Sequence, residues 1–147
     1  MDPGFREEPT APIIRMIQKW GTTPLPLLKK FLNRKFTYGY VGREDWTMYP
    51  LLVPGVFIQI DESKRKVEEG PWQSEYERPI YFVEMRDGFI CCWCEMIGSM
   101  LTLKAHPPSS VKTRLVKSES DAEIIGQVVG IAMRLDGRPR PGHGTKE

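Results

Sequence analysis

The sequence predicts a mainly β domain, built as an antiparallel sheet, with a short helical extension at its N-terminus. Short apolar runs rich in β-branched and aromatic residues occur between residues 56 and 135, and glycine-containing turn sequences separate them. Asp87-Gly88 between two such runs is the strongest hairpin signal in the chain, and Gly98-Ser99 supplies a second. The segments around these two turns therefore predict a three-stranded antiparallel meander over residues 79–103.

Residues 1–37 predict a flexible leader followed by short helices. The first twelve residues contain three prolines, a glycine and several charges. Apolar residues then recur at helical spacing over 13–20, and a leucine stripe predicts a second helix over 24–32. The second helix offers mainly basic side chains and Asn33, so the pattern favours a helix pair packed on the next domain over a DNA-reading helix-turn-helix.

Residues 38–135 predict the β domain itself, and six strands are expected within it. Period-two apolar patterns and flanking turn residues place them at 56–60, 79–85, 89–96, 100–103, 111–116 and 124–135. The polar segment 62–78 is expected to be a surface loop between two parts of the sheet. Residues 136–147 show no periodicity and predict a disordered tail.

The composition is that of one soluble globular domain. The chain has 147 residues, 40% of them hydrophobic, and this length buries about two-thirds of the unfolded surface without a metal or disulfide. With 21 basic and 19 acidic residues the net charge is +2, too balanced for a broad nucleic-acid surface. There is no apolar run of membrane-spanning length and no signal peptide, so we expect a cytoplasmic protein that does not contact a membrane.

A polar turn ahead of the first predicted strand displays one hydroxyl, that of Thr47. Asp45, two residues earlier, is of the type that caps backbone amides in such turns. Pro50, the Pro54-Gly55 turn and the alternating run at 56–60 follow. Thr47 is therefore expected at the mouth of the β structure.

Residues 47–61, TMYPLLVPGVFIQID, resemble the nucleophile segment of the S24 peptidase family, which includes the C-terminal domains of LexA-type and phage repressors and is related in fold to signal peptidases. That segment has the form Ser-Met-x-Pro, apolar residues, Pro-Gly, and a strand ending in Asp. Thr47 stands where the family has serine. The later hairpin turns and the segment 125–130, IGQVVG, extend the resemblance over residues 38–135 and imply a LexA-like β fold.

The resemblance implies the fold but not the reaction. The family uses a buried, neutral lysine as the base for its serine, and an ungapped count back from Gly98 puts Cys92 at that position. No lysine or arginine occurs between Asp87 and Met100. A thiol with a pKa of about 8.5 is a poor substitute for a buried amine. The Ala-Gly or Cys-Gly dipeptide that such repressors cut is also absent.

We therefore predict a pseudoenzyme, with Thr47 and Cys92 as a degenerate dyad and no catalytic residue. The implied role is the dimerisation or effector-sensing part of a bacterial transcriptional regulator whose DNA-binding domain is of the Cro/C1 (XRE-family) helix-turn-helix type. The expected partners are a second copy, through apolar surface around Trp93 and on the C-terminal strand, and a small-molecule or protein effector. DNA is expected only through a domain not present here. The alternative is a peptidase that uses Thr47 as nucleophile, with Cys92 or a distant lysine as base.

The three cysteines favour buried structural thiols, with a redox role left open. Cys91, Cys92 and Cys94 form C-C-x-C, which is not the zinc-knuckle spacing, and on a strand Cys92 and Cys94 share a face that Cys91 does not. A metal would need further ligands, and the histidines available are His106 and His143. The sequence therefore predicts neither a metal site nor a cofactor.

Overall fold

The computed structural model describes residues 9–13, 36–108, 113–117 and 120–134. The regular elements in these ranges are eight β strands, which confirms the prediction of a mainly β fold. They are β1 (Ala11–Pro12), β2 (Thr37–Tyr40), β3 (Val56–Asp61), β4 (Ile80–Met85), β5 (Gly88–Ile97), β6 (Met100–Lys104), β7 (Arg114–Lys117) and β8 (Ala122–Arg134). The predicted helices lie outside these ranges except for Ile13, and so does the predicted tail.

All strand pairings are antiparallel, in the order β1-β2-β3-β8-β4-β5-β6-β7. The meander predicted over residues 79–103 is present as β4, β5 and β6. The long strand β8 lies between β3 and β4, and register shifts interrupt its pairing with each of them. The sheet curls, so that β1 at one edge approaches β5.

The six predicted strands all occur, with bounds that differ by at most three residues from those predicted. Strands β1 and β2 were not predicted from the sequence. The first of these lies in the segment predicted as a leader, where Thr10 and Ala11 are buried because β1 pairs with β2. The segment 62–78 forms turns and irregular structure between β3 and β4, as expected.

Two apolar clusters lie on opposite faces of the sheet because side chains alternate along β4 and β5. The loop-side cluster contains residues of the β2–β3 connection and every second residue of the strands: Val41, Met48, Leu52, Val56, Ile58, Ile60, Phe82, Cys91 and Trp93. The far-side cluster contains Tyr81, Val83, Ile90, Cys92, Cys94, Leu101, Leu103 and Ala122. No helix in the described ranges is long and apolar enough to cross a membrane.

Candidate functional site

The connection between β2 and β3 places Thr47 against the sheet. Its backbone folds on itself through hydrogen bonds from the Asp45 amide to Gly42 O (3.0 Å) and from the Leu52 amide to Met48 O (3.0 Å). Val41, ahead of the turn, and Met48 and Leu52, after Thr47, are buried in the loop-side cluster. The turn that carries Thr47 is therefore anchored on both sides by apolar packing.

A single carboxylate, that of Asp45, organises the polar part of this turn. Its Oδ1 accepts hydrogen bonds from the Thr47 amide (3.0 Å) and the Thr47 hydroxyl (2.6 Å). Its Oδ2 accepts a hydrogen bond from the Thr10 hydroxyl, whose oxygen accepts the Gly42 amide at 3.0 Å. Thr10 and Thr47 are both buried. The Thr47 hydroxyl is therefore part of a hydrogen-bond network and is not displayed to solvent.

His106, two residues after the end of β6, supports the same turn from another side. The His106 amide donates to Thr47 O at 2.9 Å, and the buried His106 ring holds Glu75 Oε1 through Nε2 at 2.8 Å. The His106 ring centroid lies 5.5 Å from that of Trp93, and the Arg78 guanidinium lies 4.6 Å from the Trp93 ring centroid. These contacts tie the Thr47 turn to β5 and to the loop before β4.

The structure does not bring Thr47 and Cys92 to one face of the sheet. Cys91 packs with Met48 in the loop-side cluster, whereas Cys92 lies in the far-side cluster. Burial, with the nearby Asp45 charge, raises the pKa of Cys91 well above its usual value. A hydrogen bond with Cys94, together with burial, raises the pKa of Cys92 in the same direction. Both thiols are therefore held protonated, and neither is a base for Thr47.

A cavity of about 360 Å³ opens beside the hydroxyl network. The Thr47 turn and the two residues before β1 form one wall, and the β4–β5 hairpin with Arg114 forms the other. Arg114 Nη1 lies 3.7 Å from Asp87 Oδ2 at this hairpin. The side chains that line the cavity combine polar and apolar groups and include Thr10, Glu44, Asp45, Trp46, Thr47, Asp87, Phe89, Ile90 and Arg114.

The two regions predicted to contact a partner copy differ in exposure. Trp93 itself is buried under Arg78 and against His106. Aromatic side chains in the interior of a strand pack into the core when both faces of the sheet are covered. On the C-terminal strand, Val129 and Ile131 are 38% and 53% exposed.

Several of these site residues had no sequence signal. Thr10 and Glu75 lie far from Thr47 in the chain and meet its surroundings only through the curl of the sheet and the course of the 62–78 loop. Arg78 was part of the predicted loop with no assigned role. Thr47 and Asp45 were identified because a turn pattern and a motif coincide there.

The class defined by these features is an antiparallel β domain with a buried hydroxyl–carboxylate network beside a cavity. No family model matches the chain, and no curated protein matches it. Within the described part of the chain, no group of three or more His, Cys, Asp or Glu side chains is arranged to hold a metal ion.

Proposed function

We propose that this chain is a non-catalytic binding domain, the effector-sensing or dimerisation part of a cytoplasmic bacterial transcriptional regulator with a degenerate LexA-like fold. The observation that carries the proposal is the state of Thr47. Its hydroxyl donates to Asp45 in a buried network that borders a cavity, and the thiol on the same side of β5 is protonated. This arrangement can bind and orient the polar groups of a ligand in the cavity, but it lacks an activated nucleophile.

The hydrogen-bond pattern at Thr47 is that of a structural turn. Asp45 Oδ1 accepts both the amide and the hydroxyl of the residue two positions later, which is the local geometry by which Asp side chains stabilise turns. The same geometry occurs at Asp61, whose Oδ1 accepts the amide (3.0 Å) and the hydroxyl (2.6 Å) of Ser63. Thr47 is therefore held as a turn residue of this sheet rather than as a reacting group.

The cavity supports a small polar effector. Its volume of about 360 Å³ lies within the roughly 300–1,000 Å³ typical of small-molecule sites. A mixture of apolar wall with a few polar groups is the usual composition of such sites, because the apolar part supplies affinity and the polar groups fix orientation. The lining holds one cation, Arg114, and three carboxylates, those of Glu44, Asp45 and Asp87, so the effector we expect carries cationic or donor groups for the carboxylates and an acceptor group for Arg114.

The effector proposal is tested by a thermal-shift screen of small zwitterions, amino acids among them, against the protein and two charge variants. Arg114→Gln removes the cation of the cavity lining, and Arg86→Gln removes a neighbouring, more exposed cation that does not line it. Ligands of this site stabilise the wild type and Arg86→Gln but not Arg114→Gln. Equal stabilisation of both variants would place the ligand elsewhere and contradict the proposal.

One contact favours the alternative, a peptidase with Thr47 as nucleophile, because the Thr47 hydroxyl lies 2.6 Å from a carboxylate oxygen. The test is intact-mass measurement after prolonged incubation at alkaline pH, for the wild type, Thr47→Ala and Thr47→Ser. The binding proposal expects the same uncut mass in all three. A fragment that forms in the wild type, increases in Thr47→Ser and disappears in Thr47→Ala would establish the enzyme instead.

A further inference from the structure

One face of β5 carries a row of three sulfur-containing side chains. Cys92, Cys94 and Met96 occupy alternate positions of the strand and therefore project to the same side of the sheet. The two cysteines belong to the far-side cluster and Met96 packs against it. Cys92 is 0% exposed and Cys94 is 4% exposed.

A second cavity gives access to this row. It has a volume of about 350 Å³, and both Cys94 and Met96 line it, together with Arg78 and the loop 67–72. The loop is fixed over the sheet because the Glu68 amide donates to the Tyr81 hydroxyl at 2.9 Å, and Tyr81 pairs with Cys92 in the β4–β5 ladder. The sulfur atoms of Cys94 and Met96 therefore lie at the wall of a cavity, whereas Cys92 is buried next to them on the same face of the strand.

We propose that Cys92, Cys94 and Met96 form a binding site for a soft monovalent metal ion, with copper(I) as the metal. Thiolate and thioether sulfur are the ligands that select copper(I), and this ion accepts two or three sulfur ligands. Structural zinc requires four ligands, and the described residues offer no third His, Cys, Asp or Glu here. The C-C-x-C spacing, which does not match a zinc knuckle, is therefore compatible with copper(I).

Binding requires both thiols to lose their protons. One copper(I) ion and two neutral thiols give a dithiolate complex with a net charge of −1, and two protons pass to solvent. The charged side chains of the cavity lining are Arg78 and three glutamates, Glu68, Glu69 and Glu95, of which Glu95 binds Arg78 at 2.8 Å. The lining therefore does not offset the negative charge of the complex, and the copper–sulfur bonds supply the affinity.

This site is distinct from the one proposed for the effector. It lies on the far side of β5, whereas the Thr47 cavity and Cys91 lie on the loop side. The Arg114→Gln comparison tests the effector site alone, so the failure of either proposal leaves the other standing.

The experiment is an anaerobic titration of the full chain with copper(I) in the presence of a competing chromogenic chelator, with stoichiometry read by native mass spectrometry. The wild type is expected to bind one ion per chain, with ultraviolet copper–thiolate absorption. Cys92→Ser and Cys94→Ser should each lose at least about tenfold in affinity, since even partners outside the ligand shell cost 10–100-fold. Cys91→Ser removes an equally buried thiol from the opposite face and should bind as the wild type does.

Met96→Leu keeps the test decisive if a cysteine variant fails to fold. This exchange nearly conserves volume, so the core survives, and the loss of the thioether should still weaken copper(I) binding by severalfold. Thermal melts of each metal-free variant identify those that remain folded. The proposal is overturned if the wild type does not compete with the chelator, if Cys91→Ser weakens binding as much as Cys94→Ser, or if folded Met96→Leu and Cys94→Ser both bind like the wild type.

Discussion

At the residue scale, Asp45 decides how the Thr47 turn is held. Three donors converge on its carboxylate: the Thr47 amide, the Thr47 hydroxyl and the Thr10 hydroxyl. Thr10 connects the turn to β1, more than thirty residues earlier in the chain. Removal of this carboxylate leaves buried donors without an acceptor, and that desolvation cost exceeds the net value of the bonds themselves.

We predict that Asp45→Ala lowers the free energy of unfolding by at least about 2 kcal/mol, since hydrogen bonds to a charged group are worth roughly 1.5–3 kcal/mol each and are not additive. Asp45→Asn keeps an acceptor for Thr47 and should cost less. Urea unfolding monitored by tryptophan fluorescence gives both values. The matched control is Glu44→Ala, an exposed neighbouring carboxylate, which should change stability by less than about 0.5 kcal/mol. Equal losses at positions 44 and 45 would contradict the role of the network.

At the element scale, β5 contributes buried side chains to both apolar clusters. Its alternation sends Cys91 and Trp93 to one face and Cys92 and Cys94 to the other, and all four are buried. The pKa of Cys91 is raised by burial and that of Cys92 by the hydrogen bond with Cys94 and by burial. The folded protein therefore retains thiol protons that the unfolded chain loses.

This difference in thiol pKa between the folded and unfolded states predicts that the free energy of unfolding falls at alkaline pH. Above the unfolded thiol pKa of about 8.5, the unfolded state binds fewer protons than the folded state, so stability falls by up to about 1.4 kcal/mol per pH unit for each such thiol. Below that pH the two thiols contribute no slope. Urea unfolding at pH values of about 8, 9 and 10 measures the effect. Cys91→Ala should be less stable at the lowest pH but decline less steeply, whereas parallel curves for variant and wild type would contradict the assignment.

The long strand β8 depends on one glycine. A Cβ atom at Gly126 would lie 2.6 Å from Asp61 O and 2.8 Å from Ile60 Cγ2, because β3 approaches β8 closely at that point. Asp61 O belongs to the backbone of β3, so it cannot move away from the added Cβ as the end of a flexible side chain can. At Gly130, on the same strand, a Cβ would meet only Gln59 Oε1, at 3.2 Å.

We therefore predict that Gly126→Ala lowers the free energy of unfolding by about 1–3 kcal/mol, the usual cost of overpacking. The same exchange at Gly130 should be close to neutral, because the Gln59 side chain can move and alanine restricts the unfolded chain. Chemical denaturation of the two variants side by side makes the comparison. A Gly126→Ala protein as stable as Gly130→Ala would show that the strands have room to separate.

At the scale of the whole molecule, the sequence predicted the strands better than their arrangement. Period-two patterns and Gly turns located β3 to β8, because those signals are local. Strand β2, with the sequence TYGY, is too short to show a pattern, and β1 has only two residues. The position of β8 between β3 and β4 depends on pairing between distant segments, which no local signal specifies.

The candidate site likewise combines residues that local sequence signals predict with residues that only the fold brings together. Thr47 and Asp45 follow from a turn pattern, whereas Thr10 and His106 reach them through the curl of the sheet. Cys92 was assigned by counting residues, and a strand changes face with every residue. The neighbouring residue, Cys91, is therefore the one on the side of Thr47.

The proposed dimer requires a surface that a second copy can cover. Trp93 is buried, so the exposed part of β8 remains, where Val129 and Ile131 flank Gly130. A twofold contact places the same patch on both subunits, so one substitution alters the interface twice. Lysine at position 131 would bring two charges into that apolar contact, where burial of an unpaired charge is costly.

We predict that the wild type sediments as a dimer and that Ile131→Lys raises the dimer dissociation constant at least about tenfold, equivalent to about 1.4 kcal/mol. Ile97→Lys is the control, because Ile97 is 65% exposed and lies at the β5–β6 hairpin, away from β8; it should leave the dimer unchanged. Sedimentation velocity over a range of protein concentrations measures all three proteins. A wild type that is monomeric throughout would remove the dimerisation role and leave effector sensing, whereas a dimer weakened by Ile97→Lys and not by Ile131→Lys would move the interface to the hairpin.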